Sequence, residues 1–225
     1  MRGAIFDLDG TLADTSADLL AAANAALRPS GLPMLDPLED RNVAGRGGRA
    51  MIRRSLEIAG RDPNGATEIE LTDALYPKLL EAYSENMARE TQLYEGVHDC
   101  LDELARRSWR LGVCTNKPEF LAVPLLKILG VADKFGAVLG ADTLPVRKPD
   151  PEHIWETARR IGAVSHRSVM IGDTQTDLSA SRAAGVPCVL TTFGFSVEPV
   201  DTMGGDAVVD SFNALPEVLE TLSPA

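Results

Sequence analysis

Long apolar runs are missing from this 225-residue chain. No stretch approaches the ~20 residues that a membrane-crossing helix requires, so no membrane association is expected. Clustered basic residues are missing too. Lys and Arg total 22 against 33 Asp and Glu, a net charge of -11, and without a basic arm or patch a nucleic-acid partner is not expected. Cysteine is scarce: Cys100, Cys114 and Cys188 are odd in number, widely spaced and set among apolar neighbours. That pattern argues against a disulfide framework or a zinc site and for buried thiols. His98, His153 and His166 show no metal-ligand spacing and are expected at the surface. Met1 and Arg2 run straight into an apolar strand, without the charged head, apolar middle and cleavage site of a signal peptide, so a cytoplasmic location is expected.

What is present is a rhythm of strand and helix, interrupted once. Ala4, Ile5 and Phe6 end a short buried strand. From Ser16 to Leu27 the positions Leu19, Leu20, Ala23, Ala26 and Leu27 follow a helical period, with Thr15 or Ser16 as cap. Two more helices follow, Ala50 to Ala59 and Glu68 to Glu85, where an alternating protein would place a strand. Between them lie a glycine-rich loop, Arg41 to Arg49, and a second loop, Gly60 to Gly65. Residues 15–88 therefore read as a helical insertion, with 1–14 and 89–225 as the core domain. After Gly96 the alternation resumes, which is the mark of a parallel sheet. Helices are expected over Val97 to Arg107, Glu119 to Leu129, Pro151 to Ile161, Leu178 to Ala184 and Ala214 to Leu222. Strands are expected over Arg110 to Cys114, Ala137 to Gly140, Ser168 to Gly172, Val186 to Leu190 and Ala207 to Val209. Gly194 to Gly205 reads as a loosely organised surface loop by composition.

Polar groups gather where an open parallel sheet binds ligands, beyond the carboxyl ends of its strands. Asp7 and Asp9, two apart at the end of the first strand, project to one side. Two carboxylates about 4 Å apart repel by roughly 4 kcal/mol at an effective dielectric near 20, so they need a cation or a shared proton. Magnesium is the expected cation. Gly10 permits a sharp turn after the acids, and Thr11 adds a hydroxyl. Thr115 and Asn116, then Lys148, then Asp173 and Asp177 stand at or just after other strand ends. Taken singly each has an ordinary reading: an Asp-Gly turn, an exposed loop lysine, or acids favoured at a helix start. Asp14 reads as a cap for the following helix, and Lys117 as either a phosphate contact or a helix-start lysine.

In order along the chain, Asp7-Leu8-Asp9-Gly10-Thr11-Leu12, Thr115-Asn116-Lys117, Lys148-Pro149 and Gly172-Asp173-Thr174-Gln175-Thr176-Asp177 resemble the four motifs of the haloacid dehalogenase superfamily of phosphohydrolases. Gly45-Arg46-Gly47, Thr115-Asn116-Lys117-Pro118 and Lys148-Pro149-Asp150-Pro151 are most similar to its phosphoglycolate phosphatase branch. Glu95, where that branch often has proline, and Ala13 depart from the pattern away from the chemistry. The resemblance implies an α/β fold, with a Rossmann-like parallel-sheet core and a helical cap inserted after the first strand. It implies a Mg²⁺-dependent phosphatase acting on a small anionic phosphate ester through an aspartyl-phosphate, as a monomer or homodimer. It assigns Asp7 as nucleophile, Asp9 as acid and base, and Thr115 and Lys148 as further catalytic groups. Thr11, Asn116 and Arg46 would bind substrate, Asp7, Asp9 (by its main-chain carbonyl) and Asp173 would hold the metal, and Asp177 would support them. A sugar-phosphate mutase would keep the same four motifs. A phosphorylatable receiver module would also gather acids, a threonine and a lysine at strand ends, but lacks the long insertion and the Asp-Leu-Asp-Gly-Thr placement.

Overall fold

The computed structural model describes residues 1–196 and 199–223. The chain divides into two compact units, Met1–Asp14 with Leu93–Ala225, and Thr15–Gln92.

The first unit is built on six parallel strands. They are β1 (Gly3–Phe6), β4 (Arg110–Cys114), β5 (Ala137–Leu139), β6 (Ser168–Gly172), β7 (Cys188–Thr191) and β8 (Ala207–Val209), in the spatial order β5-β4-β1-β6-β7-β8. Two-residue strands, β2 (Ala13–Asp14) and β3 (Gln92–Leu93), flank the helical insertion in sequence. Register places Ile5 beside Gly112 on one side and Met170 on the other. β1 is thus central and apolar throughout, as a strand covered on both faces must be. Helices α7 (Glu152–Arg160) and α8 (Gln175–Ala184) cover one face: Ile154, Ala158, Leu178 and Ala180 pack with Ile5, Cys114, Met170 and Cys188. α5 (Val97–Arg106) and α9 (Leu215–Leu222) pack together, and α6 (Glu119–Ile128) lies against β5. All three cysteines are buried and free, and burial raises each thiol's pKa.

The second unit is helical: α1 (Ser16–Leu27), α2 (Arg41–Ala44), α3 (Gly48–Ile58) and α4 (Ala66–Glu85), with α1 and α3 packed on α4. Arg41–Ala44, expected as loop, forms one helical turn. The compact unit runs to Gln92, and within it Asp18 of α1 accepts hydrogen bonds from the backbone N–H groups of Glu90 and Thr91 and from the Thr91 hydroxyl. That carboxylate ties the outgoing chain to α1. No helix among the described residues is long and apolar enough to cross a membrane.

Two other expectations need correction. His153 is fully buried rather than at the surface, because it opens the inward face of α7, where its Nε2 lies 3.1 Å from the Gly140 carbonyl oxygen. The segment from Gly194 is organised at its start: Phe195 is buried and takes part in the site, and Val200–Thr202 form a 3₁₀ turn. Val197 and Glu198 of that expected loop lie outside the described residues.

Candidate active site

The end of β1 sets the first acids. The Asp7 N–H still donates to the Ile171 carbonyl of β6 at 2.9 Å, so the sheet fixes its backbone. The chain then folds back, with the Leu8 carbonyl accepting the N–H groups of Leu12 at 3.0 Å and Ala13 at 3.1 Å. Gly10 makes this possible. Its φ is +81°, and a Cβ there would stand 2.4 Å from Asp173 Oδ2. Side chains are therefore excluded both by backbone conformation and by the acid pressed against it.

Asp173 follows β6 directly and Asp177 falls in the first turn of α8, four residues on. Asp177 Oδ2 accepts from the Thr174 N–H at 3.0 Å and the Thr174 hydroxyl at 2.7 Å, closing the helix start. Its other oxygen accepts from Lys148 Nζ at 2.6 Å, and Lys148 also reaches Asp7 Oδ2 at 3.0 Å. Asp7 Oδ1 accepts the Leu8 N–H at 2.7 Å. One ammonium thus spans two acids. Asp7, Asp173 and Asp177 each offer a carboxylate oxygen, all within 4.8 Å of one another.

Three sequence-predicted groups make contacts that the sequence does not reveal. The Thr11 hydroxyl, expected on the substrate, is buried and donates to Asp173 Oδ1 at 2.9 Å, which makes it a prop for that acid. Asn116 Nδ2 donates to the Lys148 carbonyl oxygen at 3.0 Å, joining two of the four motifs. Thr115 continues β4 through a hydrogen bond from its N–H to the Leu139 carbonyl at 3.0 Å, which leaves it at the same sheet end. Arg46 belongs to the helical unit, where it is exposed between Gly45 and Gly47. Arg49 of that unit pairs with Asp73 at 3.0 Å and stacks on Tyr76.

Two further residues contribute, one that the sequence leaves open between two readings and one that it does not single out. Lys117 is buried and its Nζ lies 3.0 Å from Asp9 Oδ1 and 3.3 Å from Oδ2. The Phe195 N–H, after β7, donates to Asp173 Oδ2 at 2.7 Å, and a Cβ on Gly194 would meet Asp173 at 2.3 Å. The threonine-asparagine-lysine run was a signal for the first. A backbone amide leaves no signal for the second.

Electrostatics follow from burial and crowding. Burial is the largest influence raising the Asp173 pKa, and Asp177 and Asp7 push it the same way, while the bonds from Phe195 and Thr11 oppose them. Asp7 is likewise raised by burial, against the pull of Lys148. Burial works against the Lys148 charge, but Asp177 and Asp7 outweigh it and hold the ammonium protonated. Acids that resist ionisation when crowded together are suited to a divalent cation, and oxygen donors alone suit a hard one.

A parallel sheet with a helical insertion after its first strand, and with these acids at its carboxyl end, defines the fold class. The chain belongs to the haloacid dehalogenase-like hydrolases, whose family model matches residues 4–191. A phosphoglycolate phosphatase of Caulobacter vibrioides is 40% identical over 218 residues, covering 96% of this chain and 90% of that protein. One of Agrobacterium fabrum is 39% identical over 224 residues, covering 97% and 93%. The crystal structure of a protein from Haemophilus somnus, described as a predicted phosphoglycolate phosphatase, superposes with a TM-score of 0.85 at 26% identity over 97% of each chain.

Proposed function

We propose that this hydrolase is a Mg²⁺-dependent phosphatase of small anionic phosphate monoesters such as phosphoglycolate. The observation that carries the reading is the buried cluster Asp7, Asp173 and Asp177, with Lys148 between two of its acids. The relatives named phosphoglycolate phosphatase support the substrate class.

In this reading a carboxylate oxygen of Asp7 attacks phosphorus and the ester P–O bond breaks, leaving an aspartyl-phosphate. Asp9 gives a proton to the departing alkoxide. It then takes one from the water that attacks phosphorus, which releases phosphate and restores the Asp7 carboxylate. Lys148 holds Asp7 oriented and supplies fixed positive charge, and the Thr115 hydroxyl donates to a phosphoryl oxygen. Phosphoryl transfer depends mainly on such positioning and charge. Asp7, the main-chain carbonyl of Asp9 and Asp173 would hold the Mg²⁺ ion. Asp177, whose oxygens are engaged by Lys148 and Thr174, supports them. Bound there, the cation neutralises charge on the acids and on the phosphoryl oxygens.

The helical unit serves as a cap in this reading, with Arg46 contacting the substrate beyond its phosphate. A charged hydrogen bond of that kind corresponds to about tenfold to a hundredfold in kcat/KM. Arg46→Ala is expected to impair hydrolysis of phosphoglycolate while sparing a neutral aryl phosphate. Equal losses on both would remove Arg46 from substrate recognition.

The whole reading is tested by phosphate release from a panel of monoesters, with and without excess chelator. Turnover of small anionic esters that stops on chelation and returns with Mg²⁺ is the expected result. Full turnover in chelator contradicts the metal assignment, and no release from any ester contradicts the phosphatase reading.

A further inference from the structure

The Thr115-Asn116-Lys117 turn brings a second buried cation to the site. Lys117 Nζ faces both oxygens of Asp9, at 3.0 and 3.3 Å. Burying an ammonium costs free energy that a partner must offset. The turn does not need that ammonium to hold its shape. Its Lys117 N–H donates to Thr115 Oγ1 at 3.2 Å, its Lys117 carbonyl accepts the Ala141 N–H at 3.0 Å, and Asn116 is tied to Lys148. Nor does the nucleophile need it, because Lys148 serves Asp7. What Lys117 adds is positive charge beside the acid that, in the reading above, meets the leaving group.

We propose that Lys117 receives a carboxylate carried on the leaving group, and so selects small carboxylate-bearing phosphate esters from the core side of the site. The inference rests on the assignment of Asp9 to the leaving oxygen. In the phosphate ester of a 2-hydroxy acid the carboxyl carbon lies two bonds from the bridging oxygen. A cation touching the group that hydrogen-bonds this oxygen is therefore within reach of that carboxylate, and a longer chain carries the carboxylate past it. An ammonium has three N–H donors and can share them between Asp9 and a substrate anion. Without such a cation, a carboxylate drawn in beside Asp9 would add to the repulsion among Asp7, Asp173 and Asp177.

The test compares kcat/KM for 2-phosphoglycolate and for 2-hydroxyethyl phosphate, which has the same length and a similarly basic leaving oxygen but no carboxylate. Wild type is expected to prefer the carboxylate ester. Lys117→Gln should reduce that preference by about tenfold to a hundredfold, the range of a charged hydrogen bond. A disturbed Asp9 would slow both esters alike. Equal losses on both therefore overturn the proposal while leaving the phosphatase reading intact. A wild type that hydrolyses both esters equally overturns the proposal and the carboxylate substrate class, but not the aspartyl chemistry. If Lys117→Gln does not fold, a chain-length series in the wild type decides, running from the two-carbon to the three- and four-carbon ω-phosphooxy acids. A steep fall beyond two carbons supports a fixed cation at Lys117, and a flat profile overturns it.

Discussion

His153 is a fully buried imidazole that feels the charge of Lys148. Its Nε2 faces the Gly140 carbonyl, and its Nδ1 has no partner among the described residues. Burial, assisted by the charge of Lys148, lowers its pKa from 6.5 to about 4, while the Gly140 carbonyl and Asp150 pull the other way. The unfolded chain therefore takes up a proton near pH 6.5 that the folded chain refuses until about pH 4. Stability should fall as pH drops through that window, by at most about 1.4 kcal/mol per pH unit from this group, and level off below it. Denaturant unfolding of wild type and His153→Gln between pH 4 and pH 7 checks this. A variant with the same slope as wild type would assign the loss to other groups. The same residue marks a limit of sequence reading. A histidine in Glu-His-Ile-Trp has no intrinsic address, and its burial depends on packing that the local sequence does not show, including the contact with the Gly140 carbonyl. Lys117 is similar, because its partner Asp9 lies 108 positions away.

At the scale of elements, the strands and helices of the core were legible because apolar runs and glycine or proline punctuation agree with a parallel sheet. The positions of Asp7 and Asp173 were legible because each directly follows a strand. Where the physics passes through the backbone, the sequence is silent. Gly194 and Phe195 look like loop composition, yet one gives space to Asp173 and the other gives it an N–H. Arg41–Ala44 sits beside glycines and reads as loop, yet forms a turn of helix. Gly194→Ala tests the first point. A Cβ at 2.3 Å from Asp173 must displace that carboxylate. Disturbing a group that orients a metal ligand commonly weakens binding by 10- to 100-fold. Calorimetric titration with Mg²⁺ is expected to show a loss in that range, and unchanged affinity would separate this loop from the metal site.

At the scale of the whole molecule, a chain of net charge -11 buries two lysines beside its site acids, Lys148 between Asp7 and Asp177 and Lys117 against Asp9. The break in alternation is the sequence's mark of an insertion over residues 15–88. The hydrogen bonds from Glu90 and Thr91 to Asp18 leave no such mark, because they run 72 and 73 residues along the chain. Everything proposed for the core, from the Mg²⁺ requirement to the selection by Lys117, depends on Asp7 forming the covalent intermediate. That claim is tested most directly by acid-quenching the enzyme during turnover of an aryl phosphate and locating the acid-stable phosphoryl group by peptide mass spectrometry. Asp9→Asn serves as a second sample, since an activated leaving group needs little protonation while the later attack by water still needs a base. The account predicts an acyl-phosphate on Asp7, enriched in Asp9→Asn and absent from Asp7→Asn. Phosphate on any other residue, or an intermediate that survives in Asp7→Asn, would contradict it.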